Sequence, residues 1–226
     1  MNKIIQNYID VINKINEKSA CSNDSKVNLV AVTKTHDIEK ISFLLEYGCR
    51  IFGENKIQES IEKWSEIKNS NKYNNLELHF IGHLQTNKVS EAVKLFDVIQ
   101  TIDRPKLADK ISSEQKKQNR KIRGFVQINT GEEEQKSGIS IKEADEFIKY
   151  CIKDINLDII GLMCIPPVDE PAGLHFGLLR NIAHSNNLKE LSMGMSKDYE
   201  LAVLMGATYV RVGSEIFGQR DIAREI

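Results

Sequence analysis

Apolar residues near the start of the chain recur at spacings of three and four. Ile4, Ile5, Tyr8, Ile12 and Ile15 follow this pattern, with polar side chains between them. Such a period is typical of a helix that buries one apolar face. We therefore expect an N-terminal helix within residues 1–19, packed outside the rest of the protein and followed by a polar break at residues 22–25.

Beyond that break, short apolar runs alternate with segments of helical period. Short continuous apolar runs are typical of parallel strands that are buried on both faces. Gly48 is placed to end the first of the helical segments, and Pro105 is placed to begin a later one. The predicted strands are 27–33, 50–53, 76–81, 97–102, 122–129, 157–165, 188–193 and 209–212. The predicted helices between them are 38–47, 55–67, a segment ending at 96, one beginning at 105, 141–152, 174–183 and 197–205.

This alternation predicts an α/β fold, a single (β/α)8 TIM-type barrel with an extra N-terminal helix. A chain of 226 residues suits one barrel, and no linker rich in Pro, Gly or Ser divides it. We expect residues 1–226 to form one domain. A doubly wound open sheet is the alternative. Neither GxGxxG nor GxxxxGK[ST] follows any predicted strand, so the usual signs of a dinucleotide or nucleoside triphosphate site are missing.

Charge and composition limit the classes of partner that we expect for this protein. The chain has 31 Lys and Arg against 32 Asp and Glu, so no global basic field favours nucleic acid or an anionic membrane surface. No segment reaches the roughly 18 apolar residues of a membrane span, and the N-terminus lacks a continuous apolar secretion signal. We expect a cytoplasmic protein. Cys21, Cys49, Cys151 and Cys164 are widely separated, which predicts reduced thiols without a disulfide framework or metal site.

Lys34 directly follows the first predicted strand. The loops after the strands form the working face of a barrel of this type. The Lys34 amine would therefore enter the mouth of the barrel, where apolar walls favour its neutral, nucleophilic form. From position alone, a solvated surface lysine is the alternative.

The segments after strands seven and eight favour an anion site. Barrels often bind a phosphate there, where backbone N–H groups and a helix N-terminus converge. Ser196 can cap a helix that begins at Lys197. Gly213 permits close backbone approach, and Ser214 can open a short segment at residues 215–217. Simple helix caps are the alternative, but two such segments together favour phosphate binding.

Arg211 lies one residue inside the end of the last predicted strand. We expect it to be buried in the barrel, where a guanidinium requires an acceptor or an anion. An ion pair with a neighbouring strand is the alternative. Asn55, His79 and His83 lie near the ends of strands two and three, and an isolated histidine there is more often structural than catalytic.

Seven motifs along the chain carry a family resemblance. In order they are AVTKT at 31–35, FGEN at 52–55, HFIGHLQTNK at 79–88, KSG at 136–138, GLM at 161–163, LSMGMS at 191–196 and VRVGSEIFG at 210–218. With this set the chain resembles the pyridoxal phosphate homeostasis protein family, also called YggS or PROSC-like. That family is similar to the N-terminal barrel of alanine racemase.

The resemblance implies a barrel that binds pyridoxal 5'-phosphate (PLP) as a Schiff base on Lys34. Ser196, Gly213 and Ser214 would then hold the phosphate. Arg211 would face the pyridine nitrogen, and Asn55 would line the ring side of the pocket. The resemblance assigns no catalytic residue and no metal ligand, and the roles of His79, His83 and Lys136 stay open.

The implied function is intracellular PLP (vitamin B6) and amino-acid homeostasis without strong catalytic activity. An arginine at the pyridine nitrogen disfavours protonation of the ring, and an unprotonated ring is a poorer electron sink. Alanine racemase also needs a second domain from a partner subunit, whereas this chain ends at Ile226, shortly after the last motif. We therefore expect a monomer that exchanges PLP with PLP-dependent apoenzymes.

Two other hypotheses belong to different classes. One is an enzyme of low activity, either a PLP-dependent amino-acid racemase or a Schiff-base lyase or aldolase acting on a phosphorylated sugar. The other is a structural barrel that binds no ligand.

Overall fold

Eight parallel strands close into a barrel in sequence order, and the last strand pairs back with the first. The structure is a computed structural model that describes residues 2–22, 26–70 and 72–218. The predicted TIM-type barrel is confirmed, and the open sheet is wrong. The strands are β1 Asn28–Val32, β2 Ile51–Glu54, β3 Glu77–Phe80, β4 Val98–Ile102, β5 Arg123–Gln127, β6 Asp158–Met163, β7 Glu190–Met195 and β8 Tyr209–Val212.

Helices alternate with these strands and surround the barrel. Pro105 begins α5 as predicted, because its fixed φ suits the first helical turn. The helices are α1 Lys3–Ser22, α2 Ile38–Tyr47, α3 Ile57–Asn69, α4 Val89–Leu95, α5 Pro105–Gln118, α6 Ala144–Lys149, α7 Ala172–Ser185, α8 Tyr199–Leu204 and α9 Ser214–Phe217. Short 3-10 turns at Thr86–Lys88 and Ile141–Glu143 precede α4 and α6, and a π-helical turn at Tyr150–Asp154 follows α6.

The N-terminal helix α1 packs outside the barrel against α2, α8 and α9. Val11 and Ile15 are its most buried apolar side chains, and the Asn7 amide donates a hydrogen bond of 3.0 Å to the Ile216 carbonyl. The helix continues to Ser22, beyond the predicted end at residue 19. Residues 23–25 of the predicted polar break lie outside the described residues.

The apolar core lies on both sides of the sheet. A large layer between the strands and the helices includes the fully buried Trp64 and Phe96. A smaller group fills part of the barrel interior and consists of Val30, Val98, Phe125, Met163 and Tyr209. The strands also carry buried polar side chains, among them Gln100 and Arg211.

The cysteines are free thiols. Cys49, Cys151 and Cys164 are buried, and burial raises the pKa of the Cys151 and Cys164 thiols to about 12. Such thiols stay protonated and pack as small apolar side chains. Within the described residues, no helix has both the length and the apolar character needed to cross a membrane.

Candidate functional site at the mouth of the barrel

The strand register brings several sequence-predicted positions to the same edge of the barrel. β1 pairs with β2 on one side and with β8 on the other, so that Val32 lies opposite Gly53, and Ala31 opposite Val212. The segments that follow these three strands therefore meet at their C-terminal ends, which we call the mouth. Lys34, Asn55 and Gly213 belong to these segments.

Lys34 is half-buried and lies in a tight turn directly after β1. The turn closes with a hydrogen bond of 3.1 Å from the His36 N–H to the Thr33 carbonyl. Thr35 has a φ of 65°, a left-handed conformation that β-branched residues rarely adopt. A strained turn of this kind persists only where surrounding contacts hold it in place.

Two side chains of α3 supply those contacts. Lys63 donates hydrogen bonds to the carbonyls of Thr33, at 2.9 Å, and His36, at 3.3 Å. Glu59 accepts a hydrogen bond of 2.7 Å from the Thr35 N–H. Lys63 and Glu59 also form an ion pair at 2.7 Å. We call these two residues the α3 clamp; it holds the backbone on both sides of Lys34.

A buried carboxylate anchors the α3 clamp to the barrel. Glu54, at the end of β2, is fully buried and forms an ion pair of 2.7 Å with Lys63. Its Oε1 also accepts hydrogen bonds from Thr33 Oγ1, at 2.7 Å, and Trp64 Nε1, at 3.0 Å. Burial raises the pKa of Glu54, whereas the Lys63 charge and these hydrogen bonds oppose that rise. The cluster ties the Lys34 turn to both β1 and β2.

Asn55 is half-buried at the end of β2, and its Oδ1 is buried without a hydrogen-bond partner among the described residues. A buried amide oxygen without a partner is costly, so this atom is available to a ligand donor. Gly82 packs against the backbone of Asn55: a Cβ at Gly82 would be 2.2 Å from the backbone carbonyl oxygen of Asn55. Only glycine lets the loop after β3 approach this closely.

Ser196 does not cap a helix, so that part of the prediction is wrong. α8 begins at Tyr199 with Asp198 at the N-cap. The Asp198 carboxylate accepts a hydrogen bond of 2.6 Å from the Met195 N–H, which closes a turn and moves the helix start past Lys197. Ser196 instead faces the end of β8, where its Oγ accepts a long hydrogen bond of 3.4 Å from the Gly213 N–H.

The end of β8 lies close against β1. A Cβ at Gly213 would be 3.2 Å from the Val32 carbonyl oxygen, so glycine permits the close approach that the sequence predicted. Ser214 is exposed and begins α9. N–H groups in the first turn of a helix have no intrahelical acceptor. Ser196, Gly213 and Ser214 thus bring hydroxyl and N–H groups together at one side of the mouth.

Arg211 is buried in the barrel, with 4% of its surface exposed. Its guanidinium donates hydrogen bonds of 2.6 Å to Ser192 Oγ and 2.9 Å to the Cys164 carbonyl. Among the described residues it forms no ion pair within 4.0 Å, so the predicted alternative of an ion pair with a neighbouring strand is wrong. Burial lowers the pKa of Arg211 to about 10, which leaves it charged at neutral pH.

Sequence reasoning missed the partners of Arg211 inside the barrel. Ser192, Gln100 and His79 are fully buried and connected by hydrogen bonds. A polar residue within an apolar strand, such as Gln100 in VIQTI, was the available signal. Their contacts join β3, β4 and β7, which no local pattern could reveal. His83 lies elsewhere at the mouth, is exposed, and has its Nδ1 3.0 Å from Ser137 Oγ.

Comparisons with known proteins show the class to which this barrel belongs. Residues 11–221 match the family model described as alanine racemase, N-terminal domain. The alanine racemase of Corynebacterium glutamicum has a TM-score of 0.73 and 14% identity, with 99% of this chain and 63% of that chain covered. An identity this low shows the fold alone. The class is a TIM-type barrel of the alanine racemase N-terminal kind.

More similar proteins identify the family within this class. A pyridoxal phosphate homeostasis protein of Haemophilus influenzae is 36% identical over 231 residues, with 96% of each chain covered. PipY of Synechococcus elongatus, solved with PLP bound, has a TM-score of 0.78 and 32% identity, with 90% of this chain and 100% of that chain covered. The chain belongs to the pyridoxal phosphate homeostasis protein family, which confirms the resemblance carried by the seven motifs.

Proposed function

We propose that this protein binds PLP at the mouth of its barrel, with Lys34 holding it as a Schiff base, and acts in PLP and amino-acid homeostasis. PipY, 32% identical to this chain, was solved with PLP bound, and the H. influenzae relative is named for PLP homeostasis. When bound, PLP supplies an aldehyde that reacts with amines and a ring that can accept electrons. The proposed PLP-binding unit is the whole chain, residues 1–226.

The buried Arg211 guanidinium is the single observation that carries the proposal furthest. It is charged, almost inaccessible to water and held only by neutral oxygen atoms among the described residues. A buried cation of this kind is stabilised by a ligand that brings an acceptor or a negative charge. The pyridine nitrogen of PLP is such an acceptor, and the phosphate adds negative charge nearby.

The other residues also fit this ligand. Ser196, Gly213 and Ser214 present the hydroxyl and N–H donors that a phosphate dianion prefers. The Asn55 Oδ1, buried without a partner among the described residues, can accept a hydrogen bond on the ring side. The α3 clamp fixes the backbone on both sides of Lys34, so its amine is presented at the mouth at a low cost in conformational entropy.

The same arginine supports binding rather than strong catalysis. A guanidinium that faces the pyridine nitrogen opposes ring protonation, because two positive charges would then lie next to each other. The ring is consequently a weaker electron sink for carbanion chemistry. We therefore propose a carrier that holds and exchanges PLP as a cytoplasmic monomer, with PLP-dependent apoenzymes as its recipients. A low-activity amino-acid racemase is the alternative.

Borohydride reduction tests the proposed attachment. Purified protein is incubated with PLP, reduced, digested and mapped by mass spectrometry. We expect a pyridoxyl group on Lys34 that is lost in Lys34→Ala. Lys40→Ala, which removes an exposed lysine of α2, is the matched control and keeps the adduct. An adduct spread equally over several lysines, or none at all, contradicts the proposal.

Turnover assays test the non-catalytic part separately. We expect the PLP-loaded protein to convert D- and L-amino acids far more slowly than racemases do, with median enzyme turnover on the order of 10 per second as the reference. Lys34-dependent racemisation near that rate would favour the racemase alternative. It would leave the PLP-binding proposal intact.

A further inference from the structure

Side chains from four strands form a continuous hydrogen-bonded chain through the barrel interior. Arg211 donates a bond of 2.6 Å to Ser192 Oγ, and Ser192 donates a bond of 2.6 Å to Gln100 Oε1. Gln100 Nε2 lies 2.7 Å from His79 Nδ1. The chain ends where His79 Nε2 meets the Glu77 carboxylate. We call these five residues the interior relay; it runs from the mouth to the N-terminal end of β3.

The middle of the interior relay is shielded from solvent. His79, Gln100 and Ser192 are fully buried, so each must satisfy its polar atoms with its neighbours in the chain. Glu77 lies at the opposite end of the barrel, with 21% of its side chain exposed, and is also ion-paired with Arg123. Burial raises the pKa of Glu77, but the hydrogen bond from His79 and the hydrogen bond and charge of Arg123 lower it to about 2. Glu77 is therefore a carboxylate at neutral pH.

The two ends of the relay, together with the orientation of the Gln100 amide, determine the direction of every bond between them. Arginine can only donate hydrogen bonds, and a carboxylate can only accept them. The Gln100 oxygen faces Ser192 and its amide nitrogen faces His79, so Ser192 donates to that oxygen and the amide donates to Nδ1 of His79. His79 in turn donates from Nε2 to Glu77. Only neutral histidine with its proton on Nε2 satisfies this arrangement, and burial of His79 lowers its pKa in agreement.

We propose that Glu77 is the counter-charge of Arg211, and that His79, Gln100 and Ser192 are positioning residues which transmit its effect to the mouth. Hydrogen bonds that all point the same way polarise one another. The uniform direction places the negative end of the relay at Glu77 and strengthens the acceptor that holds Arg211. In the PLP-loaded protein the guanidinium would thereby be held toward the ring nitrogen. The proposal rests on the proposed function only for this last step.

The direction of the relay can be tested on the full chain without PLP. Two-dimensional ¹⁵N NMR of the histidine ring nitrogens distinguishes the two neutral tautomers and the cation. We expect His79 to be neutral at pH 7, with its proton on Nε2. Gln100→Leu removes the hydrogen-bond donor to His79 and should therefore shift the Nδ1 resonance of His79. A cationic His79, or a proton on Nδ1, would overturn the relay whether or not the protein binds PLP.

The effect on the mouth is tested with the PLP-loaded protein. We expect Glu77→Gln to weaken PLP binding about tenfold and to displace the visible absorption band of the bound cofactor. Asp158→Asn is the matched control: Asp158 begins β6 at the same end of the barrel and pairs with the exposed Lys121 at 3.3 Å. The control keeps wild-type affinity and spectrum. If Glu77→Gln also keeps both, the proposal is wrong.

A rescue variant separates positioning from simple stability. His79→Leu interrupts the relay and should displace the absorption band, whereas His79→Gln keeps an acceptor and a donor and should restore it. If His79→Leu lowers the melting temperature but leaves the band in place, the residue is only structural and the proposal fails. If the wild-type protein takes up no PLP, the proposed function is wrong, and the NMR measurement alone decides on the relay.

Discussion

The two sides of the barrel strands differ in what they bury. The outer side faces the helices and is filled by large apolar side chains. Phe80 and Phe96, for example, pack edge to face with their ring centroids 5.1 Å apart. The inner side holds a smaller apolar group together with the polar interior relay. Apolar burial provides most of the stability of a folded domain, whereas a buried polar network specifies geometry. The outer side therefore stabilises the barrel, and the inner side prepares the site.

The ion pair that anchors the α3 clamp is an exception to this apolar packing on the outer side. Glu54 and Lys63 form their ion pair between β2 and α3, directly below the Lys34 turn. A buried pair contributes little net stability compared with an apolar pair of similar volume, but breaking it is costly. Its position next to the strained turn explains why this charged pair is buried between β2 and α3.

Removing an outer-layer aromatic side chain should have the largest effect on stability. Phe96 is fully buried, and we expect Phe96→Ala to lower the free energy of unfolding by about 3 to 5 kcal/mol in urea titrations. The PLP spectrum of the folded fraction should not change. Phe43→Ala, at an exposed position of α2, is the control. A displaced PLP spectrum in Phe96→Ala would show that the outer side also determines the geometry of the site.

Breaking the α3 clamp should affect both stability and the site. Lys63→Met leaves Glu54 buried without its cation, and we expect a loss of about 3 kcal/mol together with weaker PLP uptake. Lys72→Met removes an exposed pair with Glu46, so its cost should stay below about 1 kcal/mol. Chemical denaturation and absorbance titration measure the two effects. Unchanged PLP affinity in Lys63→Met would show that the clamp does not position Lys34.

Acid should lower the stability that the inner side contributes, because it protonates Glu77. Its pKa is lowered from 4.5 to about 2 in the folded protein, so its contribution to stability is complete above pH 4.5 and is lost as the pH falls toward 2. We expect Glu77→Gln to remove about 2 kcal/mol of this acid-dependent stability. Unfolding free energies measured from pH 6 down to pH 3 provide the comparison. Equal slopes for wild type and variant would contradict the prediction.

Relieving the strained turn should have the smallest effect. Asparagine tolerates the left-handed region better than a β-branched residue, so Thr35→Asn should stabilise the protein by up to about 1 kcal/mol. Thr35→Val keeps the β-branching and should give no gain. Thermal unfolding of the two variants checks this expectation. Destabilisation by asparagine would mean that the threonine side chain makes a contact that offsets the strain.

Local patterns predicted most of the fold because each strand is a short apolar run and each helix has a clear period. α2 and β8 were predicted with their observed bounds, whereas most other elements differed by a few residues, since helix ends depend on capping contacts. Asp198 shows this. Because it closes a turn with Met195, α8 begins at Tyr199 instead of Lys197, and Ser196 does not cap the helix. Motifs also predicted the positions of Lys34, Asn55 and Gly213 at the mouth.

The sequence by itself determined the barrel, the order of its elements and the family to which the chain belongs, because these depend on periodicity and on motifs that are contiguous along the chain. Only the tertiary structure decided how the site is supported. The α3 clamp joins residues about 30 positions apart, and the interior relay joins Gln100 to a serine 92 positions away. Such contacts arise when the barrel closes and brings distant strands together, which no local pattern records.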